Sequence, residues 1–205
     1  MDKRIQDVNE TYDQLAPLYD FINRLYFLGK DEKLRSWIVK NLNLKVNSQV
    51  LNLCSGTGLD IPFLLHKLNQ ESITGVDLSI QMLQQTKNKQ QTRMINLVRA
   101  DIAHLPFRNK AFDAIMVSFC IKITPTYKTA IEETSRVLKN TGRIGVLSNH
   151  KPKGNIGMML IKFLSRLAKI NFEIDIEHLL SNEFTIIKKK IMHGNFILLL
   201  VGEKT

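Results

Sequence analysis

The sequence predicts an α/β protein, a doubly wound, mostly parallel sheet of seven strands, and three observations lead there. From residue 48 to residue 148 short apolar runs alternate with apolar residues at helical spacing, as repeated strand–helix units require when parallel strands lie side by side. The first unit, Val50-Leu-Asn-Leu-Cys-Ser-Gly-Thr-Gly-Leu-Asp60, breaks into a loop of small residues and resumes with Ile61, Leu64, Leu65 and Leu68 in helical register. The chain closes differently, with two β-rich runs, 183–192 and 196–202, joined at His193-Gly194-Asn195. That ending reads as an antiparallel hairpin at the edge of the sheet.

Residues 1–47 precede the first core strand and read as two or three helices, with Tyr12, Leu15, Ala16, Tyr19 and Ile22 on one face and Leu34, Ile38 and Leu42 on another around Trp37. Two tyrosines beside Pro17 suit a lid over a ligand, although a plain capping layer has the same pattern. The core continues with a strand over 73–77 and a helix after Leu78, with Ser79 placed to cap its free N–H groups. Strands follow over 95–99 and 111–119, the second carrying Asp113, which suits a fold-stabilising carboxylate. A helix over 129–139 carries opposite charges three and four residues apart. It ends at a turn, Asn140-Thr141-Gly142, before a fifth strand over 144–147. In the last part, 149–205, residues 151–157 read as a loop. Ile156, Met159, Leu160, Phe163, Leu164, Leu167 and Ile170 then lie at helical spacing, with Lys162, Arg166 and Lys169 on the opposite flank. Such a basic amphipathic helix can pack on the core or lie at a membrane interface.

The totals bound the functional classes. A chain of 205 residues with 44% hydrophobic and 23% charged residues is one globular domain of ordinary composition. Cys54 and Cys120 have no metal-ligand spacing, so the expectation is reduced thiols in a cytoplasmic protein, with neither a metal site nor a disulfide. The N-terminus lacks an apolar signal core, and no apolar run approaches the roughly 18 residues of a membrane span. The net charge of +10 favours polyanions, either nucleic acid or an anionic membrane surface at which the protein is peripheral.

The chemistry is concentrated where the first two strands end. Gly56 and Gly58 let a ligand approach the backbone closely, and the following helix turns unpaired N–H groups towards it. Asp77 ends the second strand 19 residues after Gly58, in reach of both hydroxyls of a ribose. Ile61 stands where a dinucleotide fingerprint needs a small residue, which weakens that reading.

These segments resemble the first two motifs of class I S-adenosylmethionine (SAM) methyltransferases, a Rossmann-like fold, with Asn52 where a carboxylate is usual and Cys54 in place of the first glycine. The N-terminal phrase from Tyr12 to Trp37 is similar to the ubiquinone and menaquinone biosynthesis C-methyltransferases, and also to the bacterial phosphatidylethanolamine N-methyltransferases. Leu105-Pro106-Phe107 with Phe112-Asp113 resembles the same group. The resemblance implies SAM as cofactor. It would be held by Tyr12, Asn52, Cys54, Ser55, Gly56, Thr57, Gly58, Asp77, Leu78, Met82 and Ser118, with Asp101 at the adenine amine and Ile102 on its ring.

An amine or phenol acceptor must lose a proton, and Tyr19 and His150 are the expected groups beside the transferring methyl, with His193 a third. The short chain, Ser148 and Asn149-His150 favour N-methylation of a phospholipid head group; the alternative is C-methylation of a quinone precursor. The acceptor is therefore expected to be a lipid or another small molecule. A nucleic-acid methyltransferase would need an Asn/Asp-Pro-Pro-Tyr/Phe run where this chain has Ser118-Phe-Cys-Ile-Lys-Ile123, so nucleic acid is disfavoured. A SAM-binding subunit without catalysis is a third class, made possible by Asn52.

Overall fold

Central strands of a parallel sheet are buried on both faces and favour apolar side chains, and Val50–Leu53 (β1) is buried at every position and apolar at all but Asn52. The computed structural model describes residues 2–27, 29–89, 95–150, 168–192 and 196–205. Beside β1 run Ile73–Asp77 (β2), Asn96–Arg99 (β3), Phe112–Ser118 (β4), Leu138–Asn149 (β5), Phe184–Met192 (β6) and Ile197–Lys204 (β7), in the spatial order β3-β2-β1-β4-β5-β7-β6. The first five are parallel, and β7 lies antiparallel between β5 and β6. The strand order reverses beside β1, so the carboxyl ends of β1 and β4 open the crevice where such sheets bind ligands. The doubly wound sheet with its antiparallel ending is as expected, although residues 193–195, the junction of the hairpin, lie outside the described residues.

Helices cover both faces. Lys3–Leu15 (α1), Tyr19–Phe27 (α2) and Asp31–Asn41 (α3) precede the sheet; Ile61–Leu65 (α4), Ile80–Lys89 (α5) and Tyr127–Val137 (α6) cross between strands. On one face Leu34, Ile38 and Leu42 of α3 pack on Val50, Ala114, Met116, Leu147 and Leu199. On the other, Ile131 and Val137 of α6 meet Leu53, Ile115, Val117, Val146 and Leu200. Burying each such aliphatic side chain is worth about 1.5–3 kcal/mol. The first layer is tight at Gly145, where an added Cβ would stand 2.4 Å from Ile38 Cγ2. The edge strand β6 exposes Lys188, Lys189 and Lys190, charges that keep another chain from pairing with it.

Four local expectations change. The turn at Asn140-Thr141-Gly142 is instead an irregularity inside β5: Leu138 pairs with Phe112 and Arg143 with Ala114, so the extra residues bulge out of one long strand. The helix after β1 is short, ending at Leu65 rather than continuing to Leu68. A helix absent from the sequence reading, Ile176–Leu180 (α7), is started by Asp175, whose carboxylate accepts from the N–H groups of Glu177 and His178. Residues 151–167, with most of the expected basic amphipathic helix, Lys162 and Arg166 among them, lie outside the described residues. Lys169 sits in a turn and donates to the carbonyl of Asp7 at 2.8 Å, rather than on a solvated helix face. Among the described residues no helix is long and apolar enough to cross a membrane.

Candidate functional site

Backbone geometry shapes the loop after β1. Cys54, Gly56 and Gly58 all take left-handed φ, at 52°, 55° and 80°. Glycine adopts that region freely, whereas a non-glycine residue in it is held there at a cost. At Gly58 a Cβ would also meet Thr86 at 3.0 Å, so the loop can rest on α5 only without a side chain there. The loop thus turns the N–H of Gly56 towards β2, where it donates to the Asp77 carboxylate at 2.8 Å. Ser79 donates its N–H to the other oxygen at 3.0 Å. Burial nevertheless pushes the Asp77 carboxyl up to about 6, because those backbone N–H bonds offset only part of the lost hydration and Asp13 stands nearby.

Asp77 faces a cleft enclosing about 700 Å³ between the atoms, part of it open to solvent. Tyr12, Tyr19, Cys54, Gly56, Leu78, Met82, Asp101, Ile102 and Ser118 line it as well, so ten of the residues singled out from sequence meet in one place. Asp101 accepts the N–H of Ala103 at 3.0 Å, which fixes its carboxylate at the rim. The helices α1 and α2 roof the cleft as a lid, with the rings of Tyr12 and Tyr19 6.2 Å apart. Burial pushes the Tyr19 phenol up to about 12 and that of Tyr12 well above its usual value. Two lid carboxylates clasp the core: Asp13 accepts from the Ser79 hydroxyl, and Asp20 from the Thr57 hydroxyl and the Lys89 ammonium. Ser79 also caps α5, accepting the N–H of Met82 at 3.0 Å.

A smaller compartment of about 250 Å³ adjoins the cleft and is lined by Arg35, Asp60, Ser55 and Thr57. Arg35 and Asp60 form a buried ion pair, and Ser118 Oγ donates to Asp60 at 3.0 Å. Burial alone would weaken the charge on Arg35, yet Asp60 holds its pKa above the usual value. Sequence reasoning missed Arg35 as a site residue, because its partner is supplied from 25 positions away.

Tyr19 and His150 are not brought together. His150 lines another cavity, of about 690 Å³ and partly open to solvent, with Lys122, Phe172 and Glu173; the turn from Ile121 to Ile123 gives Ile123 to the cleft and Lys122 to this cavity. Lys122, buried after β4 with its ammonium 5.7 Å from the centre of the Phe172 ring, was also missed. Its only signal was a charge placed at the end of an apolar strand. His193 lies outside the described residues. Asn52 lines neither the cleft nor the compartment: it lies wholly buried in the middle of β1, and among the described residues neither side-chain atom has a hydrogen-bond partner. Gly58 lines the outer side of its loop, with Asp20 and Lys89. Asp113 has the structural role expected, accepting from Gln49 N–H at 2.9 Å and Lys139 at 2.7 Å.

The cysteines overturn the expectation of reduced thiols. Cys54 and Cys120 form a disulfide across the carboxyl ends of β1 and β4, with Cα atoms 6.1 Å apart and the two positions 66 apart in sequence. The sequence held no sign of this, because only the pairing of β1 with β4 makes the two positions neighbours. Among the described residues no cluster of His, Cys, Asp or Glu could hold a metal ion.

Comparison with known proteins places this arrangement. The profile of the ubiE/COQ5 methyltransferase family matches residues 1–184. The chain is 31% identical over 153 residues to the ubiquinone/menaquinone biosynthesis C-methyltransferase UbiE of Geotalea daltonii, covering 72% of this chain and 65% of that protein. It is also 31% identical over 157 residues to the demethylmenaquinone methyltransferase of Lactobacillus johnsonii, covering 74% and 64%. It therefore spans just under two-thirds of the length of these relatives. Among solved structures, the [4+2]-cyclase SpnF superposes with a TM-score of 0.79 at 15% identity, over 98% of this chain and 96% of that one. A SAM-dependent methyltransferase of Thermotoga maritima gives 0.72 at 15%, over 97% and 100%. At such identities the likeness is one of fold, and SpnF is a reminder that this fold carries more than one chemistry.

Proposed function

The chain belongs to the ubiE/COQ5 methyltransferase family, and on that premise we propose that it transfers a methyl group from SAM to a ring carbon of a quinone precursor. The observation that carries the reading is Asp77: a carboxylate in the wall of the cleft, held by the backbone N–H groups of Gly56 and Ser79, with burial pushing its pKa up to about 6. A ribose diol supplies further donors. The residues fit the rest of the cofactor too. Ile102 and Leu78 offer apolar surface for adenine, Asp101 an acceptor for its amine, and the rings of Tyr12 and Tyr19 offer π faces for a sulfonium. Arg35, across the partition, offers a cation for a carboxylate.

Bound there, SAM supplies a methyl group already activated for in-line displacement. The chain's own part is to align the acceptor, exclude water and manage one proton. The lid excludes water through its clasps on Ser79 and Thr57. A hydroquinone becomes a carbon nucleophile as its hydroxyl loses a proton. Lys122 and His150, with the Phe172 ring beside them, present a cation, an imidazole and a stacking face in the adjoining cavity. Lys122 would stabilise the phenolate, and His150 would take the proton. Tyr19 stays a neutral hydrogen-bonding group, since its phenol does not ionise below about pH 12.

The relatives named for quinone methylation favour this acceptor over the phospholipid expected from the sequence. Contact with an anionic membrane remains part of the proposal: a prenylated quinone resides there, the chain carries a charge of +10, and Leu18, Phe21 and Leu25 stand exposed on the lid. Incubation with methyl-labelled SAM, a demethylated hydroquinone and a total lipid extract tests the reading. Label on the quinone ring carbon is the expected result; label on phosphatidylethanolamine alone, or on neither, would reject it.

A further inference from the structure

Both cysteines of the chain lie at the one place where two strand ends form the wall of the cleft, and they are joined. We propose that Cys54 and Cys120 are a thiol–disulfide modification site that divides the cofactor cleft when oxidised and opens it when reduced. The inference rests on the cofactor reading above.

Three observations carry it. First, the cleft and the compartment of Arg35 and Asp60 share five lining residues, Tyr19, Cys54, Gly56, Ser118 and Phe119, so Cys54 stands in the partition between them. A ligand that reaches from Asp77 to Arg35 must pass it. Second, the loop holds Cys54 at a φ of 52° and Phe119, next to Cys120, at 58°. Side chains kept in the left-handed region at both strand ends, where glycine would be free of cost, point to a use for the side chains themselves. Third, both cysteines line the cleft, Cys54 half-buried and Cys120 buried at 2%, so the bridge is approached from the cleft and Cys54 is its more accessible end. A disulfide in a thiol-rich compartment is typically a transient one.

The chemistry balances with a small thiol as reductant. A glutathione thiolate attacks Sγ of Cys54, the S–S bond breaks, and Cys120 leaves as the thiolate. A second glutathione attacks the mixed disulfide, releasing glutathione disulfide and leaving two protein thiols, a transfer of two electrons in all. Glutathione disulfide drives the reverse.

The test compares protein equilibrated with glutathione disulfide against protein reduced with a phosphine, by calorimetry with two probes. S-adenosylhomocysteine spans the partition, whereas adenosine stops short of it. Alkylation with mass detection reports the thiol state of each sample. The expected result is at least tenfold tighter binding of S-adenosylhomocysteine to the reduced protein, with adenosine unchanged within about twofold. The double variant Cys54→Gly with Cys120→Ser, which has no thiol left to exchange, should bind S-adenosylhomocysteine with the same affinity whether or not glutathione disulfide is present. Equal affinity in both states, or two alkylatable cysteines after glutathione disulfide, overturns the switch while leaving the cofactor reading intact. No binding of either probe in either state overturns both.

Discussion

The rim over β1 and β2 and the rim over β4 and β5 are built by opposite means. On the first, each polar group is positioned by backbone a few residues away or by the adjacent strand: Gly56 and Ser79 on Asp77, Ser79 on the start of α5, Ala103 on Asp101. On the second, Lys122, His150 and the pair Phe172-Glu173 come from three separate stretches and meet only in the finished fold. The first is a cradle for a constant ligand, written in a contiguous motif. The second is an assembled cavity that no single stretch of sequence specifies.

The sharpest way to break the contrast is to remove the cation that ties the cradle to α3. Arg35→Met strands the buried carboxylate of Asp60, and the expected loss is about 3–5 kcal/mol by chemical denaturation. The double variant with Asp60→Leu should recover most of it. A loss under about 1 kcal/mol for Arg35→Met would mean that the pair does not anchor α3 to the cradle.

On the assembled side the expected effect is kinetic. Lys122→Met should lower turnover by about 10- to 100-fold with little change in affinity for S-adenosylhomocysteine, as a group acting on the acceptor would. His150→Ala should follow it in direction. Parallel losses of turnover and cofactor affinity would shift both residues to the cradle and dissolve the distinction.

The smallest effect belongs to Asn52, a buried amide on β1 without a partner among the described residues. Asn52→Leu removes two unpaired polar atoms at similar volume, so stability should change by less than about 1 kcal/mol or rise slightly. A loss of about 2 kcal/mol or more, or of cofactor affinity, would return Asn52 to the binding residues expected from sequence.

What could be read in advance follows the same division. The strand–loop–helix unit and Asp77 were legible because their geometry is local: glycines that need left-handed φ, a cap, and a carboxylate at fixed spacing. So was the parallel sheet, from its buried apolar runs. The pairing of Cys54 with Cys120, the Arg35–Asp60 pair and the neighbours of Lys122 were not, because each depends on which strand lies beside which. The turn expected at Asn140-Thr141-Gly142 failed for a related reason: its residues favour a break, but pairing with β4 on both sides absorbs them as a bulge within β5. Tyr19 and His150 were placed together on the strength of a shared rim, yet Tyr19 lines the cleft and His150 the cavity of Lys122.

The central claim, that Asp77 in its ionised form holds the cofactor, is tested most directly by calorimetry of S-adenosylhomocysteine on reduced protein at pH 7.5 and pH 5. Because burial raises the Asp77 pKa from 3.8 to about 6, the empty fold is penalised by the ionised carboxylate above pH 6 and relieved of it as the pH falls towards 4. A ribose diol donates to the ionised form, so its affinity runs the other way, complete above pH 6 and lost below. The expected result is binding roughly tenfold weaker at pH 5 for the native protein. Asp77→Asn should bind about 10- to 100-fold more weakly at pH 7.5, with little further change at pH 5. Affinity in the native protein that is flat between pH 7.5 and 5, or that survives Asp77→Asn, would contradict the account.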